Sequence, residues 1–79
     1  MRVTLNGINR RGLANWKARE KWLGRQVRIW SGEWGLFWSP NASGYVADPR
    51  DAGVYNFEDA WARTHHCGPE KQIIFETVR

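Results

Sequence analysis

Three neighbouring side chains, His65, His66 and Cys67, are of the types that bind zinc or form a cysteine–histidine nucleophile pair. A structural zinc site takes four ligands, and the chain holds no other cysteine or histidine to complete one. Adjacent ligands also diverge on a helix. A nucleophilic thiol needs an oriented base and donors for a developing oxyanion, and no third group in the sequence supplies that orientation. The acid pairs Asp48 with Asp51 and Glu58 with Asp59 suit acid–base work or magnesium. A turn explains the first pair and a helix start the second. The eight glycines are scattered among turns and form no phosphate-binding loop. The reading is that catalytic residues, metal ligands and cofactors are none, with His65 extending an apolar helix face and His66 solvated.

What remains is chemistry of adhesion. Residues 1–28 carry eight basic side chains against the single acid Glu20, a net of +7, whereas residues 29–79 carry four against seven acids, a net of −3. The overall +4 conceals two regions of opposite sign. Basic residues interleaved with tryptophan can neutralise phosphates and stack bases. Tryptophan and arginine are equally the favoured anchors of protein interfaces. The candidate partner-binding residues are accordingly Arg10, Arg11, Trp16, Lys17, Arg19, Lys21, Trp22, Arg25 and Arg28, with Trp34 added because a hairpin tip lies far from the core. An acidic face of Asp48, Asp51, Glu58, Asp59 and Glu70 is the competing surface, suited to a DNA-binding groove. The bland alternative is a solvated basic face that keeps a small protein dispersed.

The elements that must carry these residues follow from periodicity. With 79 residues and 42% apolar content, the chain suits one small domain, organised as a basic segment 1–28 with a helix and a compact body 29–79. Residues 2–5 have the composition of a short strand. Residues 9–24 have helical composition, with Gly12 an internal weakness that lets the ordered part begin after Asn15, and with Gly24 placed to end it. Leu13, Trp16 and Leu23 make a narrow apolar stripe. From Gln26 the pattern becomes two-fold, with Val27 and Ile29 on one face and Arg28 and Trp30 on the other. Residues 31–35 read as a tight connection to a return strand at 36–38, and residues 45–47 as a third strand. Asn56 stands as the cap of a helix over 57–66 that buries Phe57, Ala60, Trp61 and Thr64 and pairs Asp59 with Arg63 outside. Residues 72–78 are β-rich and suit a fourth or central strand. The predicted fold is α+β: a small antiparallel sheet of three to four strands packed by one helix, with an additional N-terminal basic helix. No apolar run approaches the ~20 residues of a membrane span, and no secretory signal precedes the body, which predicts a protein of the cytoplasm.

Residues 29–61 also carry a motif. An aromatic strand runs into Pro-Asn, Gly-Tyr, an Asp, Ala-Gly, a Tyr and an acidic helix start, here Trp38, Pro40, Asn41, Gly44, Tyr45, Asp48, Ala52, Gly53, Tyr55, Glu58 and Ala60. A weaker echo lies in residues 67–71. The pattern resembles a family of small phage and prophage accessory proteins, most without an assigned activity. The resemblance implies origin on a mobile element, where small proteins often act against host defences such as CRISPR systems, and the basic segment 1–28 departs from the usual short start. Without the family, the same residues read as turn chemistry: Asn41 and Asp48 bond nearby backbone, and Tyr45 and Tyr55 bury their rings while their hydroxyls meet polar loop groups. The functional expectation is a non-enzymatic accessory protein that binds and inhibits a host protein or ribonucleoprotein, with a CRISPR interference complex as the leading partner. The alternative is a small nucleic-acid-binding module acting through residues 10–28. A homodimer formed through the apolar stripe or an edge strand is a third arrangement.

Overall fold

The computed structural model describes residues 7–78. The strand expected at residues 2–5 lies outside them. Six short strands form one antiparallel sheet: β1 (Gly7–Asn9), β2 (Gln26–Ser31), β3 (Leu36–Trp38), β4 (Tyr45–Val46), β5 (Tyr55–Asn56) and β6 (Ile73–Thr77). Their order is β1-β6-β2-β3-β4, with β5 also paired to β2. The α+β class is as the sequence predicts, but the sheet has six strands instead of three or four. The added pieces are two or three residues long, too short for a two-fold pattern to reveal.

The spine is β2 paired with β6 over five residues, from Val27 opposite Thr77 to Ser31 opposite Ile73. On its other side β2 is shared, β5 pairing with Gln26 and Val27 while β3 pairs with Trp30 and Ser31. Alternation then decides which residues are buried. Val27, Ile29 and Ser31 face inward and Arg28 and Trp30 the opposite way, as the two-fold pattern requires. The helix α2 (Phe57–Arg63) lays Phe57 and Ala60 on that inward face, where Phe57 meets Phe75 edge-on with ring centroids 5.6 Å apart. Leu13, fully buried, and the half-buried Trp22 complete the cluster. No helix among the described residues is long and apolar enough to cross a membrane.

The helix expected over residues 9–24 is instead two pieces, a single 3-10 turn at Arg11–Leu13 and a five-residue helix α1 (Trp16–Glu20). Asn15 makes the break. Its backbone is extended, with φ −83° and ψ 130°, and its side-chain oxygen accepts from the Lys17 N–H, so it caps a new helix after the Gly12 region. Gly24, at φ +81°, ends the segment. The apolar stripe divides as a result. Leu13 turns into the core, while Trp16 and Leu23 remain 61% and 54% exposed.

Helix α2 ends at Arg63, three residues earlier than expected, with Thr64 as its final cap. Asn56 holds the N-cap position, yet its side chain accepts no cap bond. Pairing of β5 with β2 places that end of the helix against residues 24–25 instead. The Phe57 N–H donates to Arg25 O, and the Glu58 carboxylate accepts from the Gly24 N–H at 2.8 Å. Asp59 pairs with Arg63 at 2.9 Å as expected.

The loops of the motif are locked by Tyr55. Its hydroxyl donates to Ser39 O and accepts from the Ala42 N–H, joining the 39–44 loop to the strand that feeds α2. Gly53 is needed for close approach: a Cβ there would come within 2.8 Å of Pro40 Cα and of the Tyr55 ring. Tyr45 departs from the expectation of a buried ring. It is 48% exposed, lying against Trp34 with centroids 6.4 Å apart. Removing the lock with Tyr55→Phe leaves the Ala42 N–H and Ser39 O only their own 3.2 Å bond to each other, and is expected to cost about 0.5–1.5 kcal/mol in urea unfolding. A loss below about 0.5 kcal/mol would show that the loop is held by other contacts.

Candidate binding surface

The basic residues are not one exposed arm. The proposed boundary between residues 28 and 29 falls inside β2, and β1 is a full member of the sheet. Three of the candidate cations are anchored in the fold. The Arg10 guanidinium lies 3.7 Å from the Trp61 ring centroid, and its Nη1 donates to Trp61 O at 2.9 Å and to Thr64 Oγ1. Arg19 donates through Nη1 to Leu13 O and Ala14 O, both at 2.9 Å, with its guanidinium 4.9 Å from the same indole. Arg28, on the outer face of β2, approaches Glu76 of β6 at 3.7 Å. Trp22 is likewise part of the packing, 5.9 Å from the Phe57 ring, and Arg25 leans over it at 5.5 Å.

The remaining cations make no side-chain hydrogen bond or ion pair among the described residues. Trp16, Lys17 and Lys21 are exposed on or beside α1, whose inner side carries the half-buried Ala18 and Arg19. Arg11 and Arg25 are exposed nearby in sequence. Trp34 is 60% exposed at the hairpin tip with Tyr45 against it, so it belongs to a second aromatic spot outside α1. That tip is fixed from beneath, because the Glu33 N–H donates to Lys71 O and the Glu33 carboxylate pairs with Lys71 at 2.7 Å.

A simple electrostatic asymmetry results. Every described cation after residue 29 has a carboxylate partner: Arg50 with Asp48, Arg63 with Asp59 and Lys71 with Glu33. Among the seven described cations up to residue 28, only Arg28 has one. The acidic surface is depleted by the same pairings. Asp48 and Asp59 are spent on arginines and Glu58 on the Gly24 N–H, which leaves Asp51 and Glu70 without such a partner among the described residues. The Arg50 bonds also draw the Asp48 carboxyl below its ordinary range. Periodicity announces none of these pairs except Asp59 with Arg63, where the four-residue helical spacing shows it.

The His65-His66-Cys67 run is placed at the end of α2. His65 is exposed and does not extend the apolar face, because the helix ends before it, at Arg63. Cys67 Sγ lies 3.7 Å from His66 Nε2, and no group of three or more potential metal ligands occurs among the described residues. Burial pushes the Cys67 thiol above its ordinary range, against the opposing pull of Lys71 and Arg10. The thiol is therefore protonated at neutral pH and a poor nucleophile. Its contribution to folding is present below the ordinary thiol range and lost as pH rises through the higher folded value. Alkylation at about pH 7.5 is expected to run slower than for a free thiol, with reaction accelerating only at more alkaline pH. Rapid labelling of the folded protein at neutral pH would contradict this environment. Compared with family models, curated proteins and solved structures, the chain finds no match.

Proposed function

We propose that the protein acts by adhesion, through the exposed cations and tryptophan of residues 11–25, to a polyanionic macromolecular partner. The observation that carries this reading is the asymmetry of pairing. The body neutralises its own cations, whereas Arg11, Lys17, Lys21 and Arg25 are exposed on the segment that also exposes Trp16, with no carboxylate partner among the described residues. Free cations around an aromatic anchor provide long-range attraction and a desolvated contact at one place. The specific form of the proposal is an inhibitor of a host defence ribonucleoprotein, with a CRISPR interference complex as the partner suggested by the phage-protein resemblance.

A second reading draws on the same surface: Trp16 beside Lys17 and Lys21 is also the composition of a stacking platform for single strands. Two measurements separate the readings. Co-elution with a guide-loaded interference complex, together with loss of its target-DNA binding, supports the inhibitor. A mobility shift with naked RNA or DNA that weakens steeply with salt supports the nucleic-acid module. Failure of both measurements overturns the assignment of this surface.

A further inference from the structure

A cleft of about 730 Å³ opens where the segment after β1 crosses the end of α2. Its size lies within the range of sites that hold small organic ligands, roughly 300–1,000 Å³. Arg10, Arg11 and Arg19 line it together with Trp61, Ala14 and Ile74, and no carboxylate among the described residues does. The Glu70 carboxylate lies beside Gly68, which is itself a lining residue.

Two features show that this cationic cluster is pre-organised and incomplete. Arg10 and Arg19 are each anchored through a single nitrogen, Nη1, to backbone or hydroxyl oxygens. Their Nη2 and Nε groups donate to no other described residue, so each retains part of its donor fork. Both guanidinium groups are also held within 5 Å of one indole centroid, which places like charges near each other. Burial, against the opposing pull of Cys67 and with a smaller push from the neighbouring Arg19, holds the Arg10 guanidinium below its ordinary range. Stacking on Trp61 accounts for the position of Arg10 and Arg19. It does not account for Arg11 at the same opening.

We propose that this cleft binds the phosphate of a nucleotide-sized ligand, with the guanidinium groups of Arg10, Arg11 and Arg19 around the phosphate oxygens and the organic part against Ala14 and Ile74. Fixed guanidinium forks match phosphate geometry, and the apolar wall suits a base or sugar. A free nucleoside monophosphate and the 5′-phosphorylated end of a strand present the same chemistry. The site shares Arg11 with the proposed adhesive surface but uses neither Lys17 nor Lys21, so it can be tested without that reading.

Calorimetric titration of the purified protein distinguishes the sources, using AMP, adenosine, and a short oligonucleotide with and without a 5′-phosphate. At least one phosphorylated probe is expected to bind saturably, and at least ~10-fold more tightly than its unphosphorylated counterpart. Preference for AMP assigns a free nucleotide, and preference for the phosphorylated oligonucleotide assigns a strand end. Arg11→Ala removes an exposed side chain with no structural bond and is expected to weaken binding at least ~5-fold at unchanged thermal stability. Arg19→Lys keeps the charge but loses the fork, with a similar loss expected. Lys17→Glu with Lys21→Glu is expected to leave mononucleotide binding intact, so this site can fail or stand independently of the partner surface. Absence of saturable binding up to about 1 mM, equal affinity with and without phosphate, or affinity unchanged in both arginine variants would overturn the assignment.

Discussion

Phe57→Ala is expected to lower the unfolding free energy by about 3–5 kcal/mol, the largest stability loss of any single truncation in this chain. Phe57 is 1% exposed, and its ring centroid lies 5.6 Å from Phe75, 5.9 Å from Trp22 and 6.1 Å from Trp61. One side chain thus joins the sheet, α2 and the segment that carries the free cations. A domain of this length has roughly 4–12 kcal/mol in total, so the loss is a large share of the whole. Thermal unfolding followed by circular dichroism should show the midpoint falling by more than ~10 °C. Phe57→Leu, which keeps most of the buried volume, should lose less than half as much. A midpoint within about 4 °C of the native value for Phe57→Ala would show that the core is organised around some other residue.

Reversing Lys17 and Lys21 together to glutamate is expected to weaken attachment to a polyanionic partner by about 10- to 100-fold. Both side chains are exposed and neither has a carboxylate partner among the described residues, so stability should change by less than about 0.5 kcal/mol. The two substitutions remove four units of charge from a chain whose formal net charge is +4. If the partner is a nucleic acid, the slope of log affinity against log salt should fall by about 2, because two phosphate contacts are lost. Trp16→Ala, which leaves the charge intact, should reduce affinity without changing that slope. Undiminished affinity in the charge-reversed protein would locate the contact elsewhere, with Trp34 and Tyr45 at the hairpin tip as the next surface to probe.

The parts of this architecture that repeat at a fixed period are those that can be read from residues alone. Val27, Ile29 and Trp30 state the inward and outward faces of β2, and Phe57, Ala60 and Thr64 state the buried side of α2. Ile73 and Phe75 do the same for β6, which takes the central place anticipated for it. Long-range pairing escapes such reading. Asn56 has the composition of a cap, but pairing of β5 with β2 gives its helix end to Arg25 O and Glu58. Arg10 and Arg19 read as solvated charge, yet Trp61, 42 or more residues later, draws both into the packing. The candidate partner residues were therefore legible as a type of chemistry. Which of them the fold consumes, and which it leaves free, depends on contacts that neither helical nor strand periodicity encodes.

The position of β6 between β1 and β2 has a consequence for synthesis. While residues 73–77 remain inside the ribosome, β1 has no strand to join and β2 lacks its longest pairing. Phe57, Val27 and Ile29 then wait for Phe75. Emergence of this late strand brings together residues as distant as Ile8 and Phe75 in one step, so folding of the nascent chain should be largely postponed until then. During that interval the tryptophan-rich middle of the polypeptide is open to chaperones.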